Sequence, residues 1–354
     1  MNRQRPVNCW LSENGVFAGA TKYCSLSGPC KGNSFIELGI RSGALIAIDS
    51  FDELITTKRL ASSIKKNANL MLRWNGGQQD TRYGMPFSEM EKCINLLVED
   101  EALQLEGFSF HLSDYLPESR AACLSTLLEL SHRLKSKGIN IRKINIGGGM
   151  PICYIGKEAW DNYHRNIRED HFYKKRMPSS YYPYWNSVSR QSFIDGILLE
   201  HSNALRLQSL DIELMLEPGR ALVDNAGFSV FKVLGLKTSE AGNHCIIVQG
   251  LSFSACEVWC NSEFLVDPTL IPMQNSECST PIKAYIAGQS CLEDDLITNR
   301  FVSFNTVPER GDLLVFNNTA GYQMDLMESK FHLIPPPQKI TLQKTEANTS
   351  WTFD

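Results

Sequence analysis

Residues 141–151 read Ile-Arg-Lys-Ile-Asn-Ile-Gly-Gly-Gly-Met-Pro, an apolar strand pattern that runs directly into Gly147, Gly148 and Gly149. Glycines at a strand end let the backbone approach a ligand closely and aim its N–H groups at an anion. Phosphate is the natural occupant of such a loop, and a tight turn without a ligand is the alternative. The stretch therefore predicts a strand whose carboxyl end carries a site.

The text on either side of this stretch alternates short apolar segments with segments of helical periodicity. In the helical segment Ala121–Lys137, leucines recur three and four residues apart. Such alternation predicts a parallel β/α architecture. Polar residues end several strands, which favours a (β/α)8 barrel over the doubly wound sheet that the pattern also allows. The other strand candidates are Ala44–Asp49, Leu70–Trp74, Phe108–Leu112 and Ile212–Glu217.

The pattern changes after about residue 225. Four strand candidates follow without long helices between them, which predicts an all-β second domain over 226–340 and a polar tail over 341–354. The first domain spans 1–225 and contains an aromatic insertion at about 154–193. The strand candidates are Phe228–Leu236, Cys245–Val248, Pro281–Ile286 and Asp312–Phe316.

Composition excludes several classes of protein. The chain has 354 residues, 43% of them hydrophobic, and 35 basic against 39 acidic residues give a net charge of −4. No basic patch indicates a nucleic-acid or membrane partner. The first residues lack the apolar run of a signal peptide. Eleven scattered cysteines, among them Cys256 and Cys260 without a partner set for zinc, are typical of reduced thiols, so we expect a cytoplasmic protein without a metal.

The insertion interleaves aromatic with basic residues. That mixture occurs in nucleic-acid-binding proteins. Because the chain has no net basic charge, a packed insertion or an active-site lid is the favoured interpretation.

Two further motifs share the predicted rim of strand ends. Glu217-Pro218-Gly219-Arg220 places a carboxylate and a guanidinium on either side of a Pro-Gly bend. The arginine can bind a phosphate or carboxylate, and the glutamate can hold a proton on a ring nitrogen. An ordinary ion pair is the alternative. His111 ends another strand. A lone histidine there is usually structural, and it becomes a candidate only because it shares the predicted rim with the other motifs.

Together these motifs resemble the group IV, or fold type III, pyridoxal-phosphate (PLP) decarboxylases of diaminopimelate, ornithine and arginine. Further matches follow in the family's order, and the divergence indicates a Y4yA-like subfamily. The matching segments are Ser27–Lys31, Ile48–Ser50, Leu72-Arg73, Arg82–Met85, Phe110–Ser113, Gly288–Cys291, Gly311–Leu314 and Ala320–Tyr322. The resemblance implies an alanine-racemase-like (β/α)8 barrel with a C-terminal β-sandwich or barrel domain.

The resemblance also implies roles for individual residues. His111 would stack on the PLP ring, Glu217 would pair with the pyridine nitrogen, and Cys291 would act as a general acid in the partner subunit's active site. A homodimer with shared active sites follows from that last role. Cofactor contacts are implied for Gly147, Gly148, Gly149, Glu217, Pro218, Gly219, Arg220 and Tyr322, and a substrate contact for Asp295.

One element of the family pattern has no match. The family's first strand carries the lysine that holds PLP as a Schiff base, and the first two βα units have no counterpart before Thr21. Lys22 and Lys31 are the nearest lysines, and Lys31 already matches another position. We therefore expect a barrel that lacks its first strands and a chain that is truncated or inactive.

Two substitutions bear on selectivity. Asp114 replaces the family's phosphate-contacting serine, and a carboxylate beside a phosphate is unfavourable. Leu292 replaces the acidic residue that contacts a distal amine. The substrate is therefore expected to be an amino acid or a carrier-bound aminoacyl group, and not a precursor of a standard diamine.

Two alternatives to a decarboxylase remain. One is a non-catalytic relative that binds or regulates a partner. The other is a hydrolase using Glu217 with Asp49, which explains neither the triple glycine nor the segment around Cys291.

Overall fold

The computed structural model describes residues 24–252, 266–274, 280–322, 333–345 and 348–353. These residues form two compact units. One contains residues up to 150 together with 190–218, and the other contains 151–189 together with residues from 219 onward. Lys22, Cys256 and Cys260, which entered the sequence predictions, lie outside the described residues.

The first unit is a parallel sheet of six strands, hydrogen-bonded in chain order, with helices between them. Its strands are β1 (Ser25–Leu26), β2 (Leu45–Ile48), β3 (Ala68–Trp74), β4 (Leu103–Phe110), β5 (Lys143–Asn145) and β6 (Glu213–Met215). Its helices are α1 (Asn33–Ser42), α2 (Phe51–Ile64), α3 (Phe87–Val98), α4 (Pro117–Lys135), α6 (Arg190–Leu199) and α7 (Asn203–Leu210).

Helix α4 shows why these sequences form these elements. Pro117 occupies the first turn, where the missing N–H costs no hydrogen bond. Leu124, Leu127, Leu128 and Leu134 are buried on one face, as the periodicity predicts. The helix packs against α6 and α7 of the same unit.

The second unit is a six-stranded sheet with the order β11-β10-β8-β7-β12-β9. Its pairs are antiparallel except β8 with β10. The strands are β7 (Phe228–Thr238), β8 (His244–Val248), β9 (Thr269–Ile271), β10 (Ile282–Ala287), β11 (Leu296–Phe304) and β12 (Leu313–Asn317).

The aromatic insertion groups with the β unit, whereas the sequence prediction placed it in the first domain. It contains helix α5 (Lys157–Asn166). Tyr184 is part of the buried core of the β sheet, and Trp160 and Tyr181 pack against that core. Burial of these rings accounts for the difference, because large aromatic side chains contribute most where they are covered.

The predicted tail over 341–354 is an antiparallel hairpin of β13 (Ile340–Lys344) and β14 (Thr349–Phe353). Ile340 pairs with Phe353, and Leu342 pairs with Trp351. These apolar cross-strand pairs support the hairpin. No helix in the described ranges is long and apolar enough to cross a membrane.

Candidate functional site

The carboxyl ends of β3, β4 and β5 bring three polar side chains into line. The strand register pairs Arg73 with Ser109 and Ser109 with Asn145. Paired residues of neighbouring strands point to the same face of a sheet. Arg73 also donates to Asp49 Oδ1 at 3.0 Å, at the end of β2. The predicted clustering of polar strand ends is present in the structure.

Glu217 lies at this edge, two residues after β6. Its Oε1 accepts a hydrogen bond from Asn145 Nδ2 at 2.7 Å, and its backbone N–H donates to Gly147 O at 2.9 Å. Asn145 is buried, whereas Glu217 is exposed. Asn145 therefore orients the carboxylate of Glu217, which stays accessible to a ligand. Asn145 was not singled out in the sequence, although a polar residue inside an apolar strand was a signal for it.

His111 follows β4 and contacts the glycine loop. Its Nδ1 accepts the N–H of Gly148 at 3.2 Å, which places the proton of the neutral ring on Nε2. His111 is an exposed residue by its total accessible surface, but its ring packs against Gly147 and Gly148, and this packing desolvates it. That desolvation lowers the pKa of His111 below its ordinary value, opposed by the charge of Glu217.

The three glycines are required by the close packing of their backbone. Gly147 and Gly149 have φ values of 69° and 78°, which favour glycine. A Cβ on Gly147 would lie 2.6 Å from Phe110 O, and one on Gly148 would lie 2.6 Å from the carbonyl oxygen of Glu217. The loop is thus built on a close approach of three strand ends.

The N–H groups of this loop divide into two kinds. That of Gly147 donates to Asn145 Oδ1 at 2.8 Å, and that of Gly148 donates to His111. Gly149 and Met150 are half-buried residues, and their N–H groups have no acceptor among the described residues. Such a pair is suited to an anion. Because the N–H groups of Gly147 and Gly148 already have acceptors, a phosphate at this loop would bind the N–H groups of Gly149 and Met150.

The carboxylate of Asp114 does not take part in this donor pair, because it binds Arg120. Asp114 Oδ1 accepts from Arg120 Nη1 at 2.8 Å, and the Arg120 side chain is 0% exposed. The sequence predicts an unfavourable carboxylate beside a phosphate. The ion pair gives that carboxylate another partner, which sequence spacing did not reveal.

The ammonium group of Lys31 is hydrogen-bonded within the first unit. Its Nζ donates to Ala47 O at 2.6 Å and Gly28 O at 3.0 Å, and it forms a salt bridge of 3.0 Å with Glu53. Both side chains are buried. The ammonium is therefore held as a structural cation.

Other predicted residues belong to the β unit. Arg220 Nη1 donates to Tyr154 Oη at 3.0 Å, and its guanidinium lies over the rings of Tyr182 and Tyr322, 3.9 and 4.9 Å from their centroids. A Cβ on Gly219 would lie 3.0 Å from Tyr322 Oη. The structure thus brings Gly219, Arg220 and Tyr322 together, while Pro218 ends the segment contributed to the first unit.

Cys291 is exposed on a loop of the β unit, and Asp295 anchors that loop. The Asp295 carboxylate is buried and accepts the N–H groups of Ser252 at 2.7 Å and Ser290 at 3.1 Å. These hydrogen bonds give Asp295 a structural role in the loop, and the substrate contact expected of it stays a prediction.

The first unit is a parallel β/α domain whose strand ends bring together an exposed carboxylate, an imidazole and a glycine loop. The sequence model described as pyridoxal-dependent decarboxylase, pyridoxal binding domain, matches residues 17–178. The chain is 36% identical over 320 residues to protein y4yA of Sinorhizobium fredii, a match that covers 88% of this chain and 70% of y4yA. The chain therefore belongs to the pyridoxal-dependent decarboxylase family, and the cofactor of that family is PLP.

More distant relatives are similar to the chain in sequence or in fold. Diaminopimelate decarboxylase of Bacteroides thetaiotaomicron is 23% identical over 331 residues, covering 86% of this chain and 73% of the relative. The solved diaminopimelate decarboxylase of Methanocaldococcus jannaschii superposes with a TM-score of 0.69 at 20% identity, covering 93% and 71% of the two chains. The Helicobacter pylori enzyme, solved with L-lysine, gives 0.69 at 19% identity and covers 92% and 74%. The predicted fold class, a barrel-type (β/α) domain with a separate β domain, is confirmed.

Proposed function

We propose that this chain binds PLP at the ends of β4, β5 and β6 and serves the decarboxylation of an amino acid or an aminoacyl group. The observation that carries the proposal is the joint orientation of Glu217 by Asn145 and of His111 by Gly148, beside the N–H groups of two half-buried residues. The glycine cradle and the exposed carboxylate fit a phosphate and a pyridinium nitrogen. When bound, PLP supplies the sink for the electrons that remain when the α-carboxylate departs.

The residues of the chain have separable tasks in this proposal. Gly149 and Met150 would bind the phosphate through their N–H groups. Glu217 would keep a proton on the ring nitrogen, and His111, neutral and protonated on Nε2, would cover the ring. Cys291 would return a proton to the α-carbon as a general acid across the interface of a homodimer, as the family resemblance implies.

The surroundings of Cys291 support a substrate without a distal ammonium group. Leu292 is exposed and apolar at the next position. The carboxylates of Glu293 and Asp294 pair with Lys174 and Arg176, so they are already neutralised within the β unit. An uncharged amino-acid side chain or a carrier-bound aminoacyl group suits such a loop better than ornithine, lysine or diaminopimelate.

The second candidate function is PLP binding without turnover. The contacts of Lys31 favour binding without turnover, because its ammonium already binds Glu53 and two carbonyl groups. In this case the protein would hold the cofactor non-covalently and would act as a binding or regulatory protein.

A PLP titration of the full chain tests the first step. We expect saturable binding that Glu217→Gln weakens and that Glu213→Gln, on an exposed residue of β6, leaves unchanged. Absence of saturable binding would refute the proposed function. Release of CO₂ from a panel of amino acids then separates the two candidates, and turnover restricted to ornithine, lysine or diaminopimelate would contradict the substrate class.

A further inference from the structure

Arg120 is a buried cation that the proposed function does not use. It lies in the first turns of α4, and its side chain is 0% exposed. Its guanidinium donates to the carbonyl oxygens of Leu112 at 3.3 Å, Asp114 at 2.7 Å and Leu116 at 3.1 Å, all in the loop that follows His111. Burial of a charge is costly unless it is fully hydrogen-bonded.

The same guanidinium reaches the glycine loop. Arg120 Nε and Nη2 donate to Gly148 O at 3.2 and 3.1 Å. A Cβ on Gly149 would lie 2.2 Å from Nη2, so the side chain lies directly against the loop. Gly148 is thereby held on two sides, by Arg120 at its carbonyl and by His111 at its N–H.

Asp114 is the counter-charge. Its carboxylate is 40% exposed, so solvent screens it, while the guanidinium of Arg120 is fully enclosed. The positive charge of the pair is therefore less screened than the negative one. It lies against Gly149, one of the two residues whose N–H groups have no acceptor among the described residues.

We propose that Arg120 is a positioning residue for phosphate binding, which fixes the carbonyl of Gly148 and lends its buried positive charge to the Gly149–Met150 anion site, with Asp114 setting the strength of that charge. The inference rests on the proposed function and deepens it. A purely structural brace would predict that loss of either partner weakens the fold and the site together. The proposal predicts opposite effects on phosphate affinity.

The test compares PLP with pyridoxal, which lacks the phosphate, in equilibrium binding to the full chain. Asp114→Asn is expected to tighten PLP binding roughly threefold, the size of a partly screened charge interaction, while pyridoxal binding stays unchanged. Arg120→Gln is expected to weaken PLP binding about tenfold, because it removes charge-assisted hydrogen bonds. Asp161→Asn is the matched control, since that carboxylate is 41% exposed in a surface ion pair.

A double variant separates the charge of Arg120 from direct repulsion by Asp114. If Arg120 transmits the effect, Asp114→Asn no longer tightens PLP binding in the Arg120→Gln background. Tightening that persists there, or that extends equally to pyridoxal, would overturn the proposal. If Arg120→Gln does not fold, Arg120→Lys takes its place: because it keeps the charge and loses hydrogen bonds to Gly148, PLP affinity should fall less than tenfold while pyridoxal affinity stays unchanged, and an equal loss for both ligands would overturn the proposal.

Nuclear magnetic resonance of His111 gives a readout independent of the cofactor. The charges that face His111 are Glu217, Arg73 and Arg120. Arg120→Gln is expected to raise the pKa of His111, and Asp114→Asn to lower it. Failure of wild-type protein to bind PLP while these opposite shifts appear would reject the proposed function and leave the electrostatic role of Arg120 standing. Unchanged titration in both variants would reject the role of Arg120.

Discussion

Asn145 holds Glu217: the Asn145 Nδ2 to Glu217 Oε1 distance is 2.7 Å, while Oδ1 of the same amide accepts the N–H of Gly147 at 2.8 Å. One buried side chain therefore fixes both the carboxylate and the start of the glycine loop. Since an amide has both a donor and an acceptor, neither leucine nor aspartate can do both tasks.

Asn145→Leu is expected to lower the free energy of unfolding by about 1–3 kcal/mol, because the N–H of Gly147 loses its acceptor in a buried place. PLP affinity is expected to fall as well, since Glu217 loses its donor. Asn145→Asp keeps the acceptor for Gly147 but sets two carboxylates together, so it should impair PLP binding more than stability. Urea unfolding and PLP titration check both. Unchanged PLP affinity in Asn145→Leu would contradict the role given to this amide.

Gly149→Ala is expected to destabilise the protein and weaken PLP binding. The added methyl group would meet Arg120 Nη2 at 2.2 Å, and the φ of 78° disfavours a side chain. Gly138→Ala is the matched control, because Gly138 has a φ of 83° with nothing within 4 Å of a Cβ. The backbone strain is common to both variants, so the control should lose about 1 kcal/mol and keep its PLP affinity. Equal loss of PLP affinity in the two variants would be inconsistent with a close-packed loop at Gly149.

Lys31→Met is expected to cost about 3–5 kcal/mol of unfolding free energy, because Glu53 would remain buried without its cation. The two side chains are 2% and 5% exposed. Lys157→Met, at an exposed surface pair, should change stability little. Borohydride reduction of the PLP-loaded protein, followed by peptide mass spectrometry, should find no pyridoxyl group on Lys31. A label on that residue would show that its ammonium is available to the cofactor.

The pH dependence of stability should report His111. Because the folded-state pKa of His111 lies below the unfolded value of about 6.5, the unfolded chain binds the proton more readily. The contribution of this residue is therefore full above about pH 6.5 and is lost as the pH falls through the folded-state pKa. His111→Gln, which keeps an acceptor for Gly148, should flatten this decline, and His132→Gln at an exposed site of α4 should not. Urea unfolding between about pH 7.5 and about pH 5 measures the difference.

The strand ends were predictable because their residues carry local signals. Three glycines after an apolar strand and the Glu217–Arg220 motif each restrict the backbone or the chemistry, so the positions of β5 and β6 followed from the text. The buried guanidinium of Arg120 was not predictable, because its partners are carbonyl groups of a loop and of Gly148, 28 residues away. Backbone acceptors leave no trace in a sequence.

Two segments differ from the sequence prediction for another reason. The strand β11 is not among the predicted strands, because Thr298, Asn299 and Arg300 interrupt its apolar pattern. The hairpin of β13 and β14 stands where the sequence predicts a polar tail, because polar residues separate its apolar residues in two short runs. In both places the pairing strand, and not local composition, determines the structure.

The most direct test is a crystal structure of the full chain soaked with PLP. We expect density for the phosphate against the N–H groups of Gly149 and Met150, with the ring nitrogen beside Glu217 and the ring against His111. Density at another place, or none at a PLP concentration that saturates the solution titration, would contradict the proposed function.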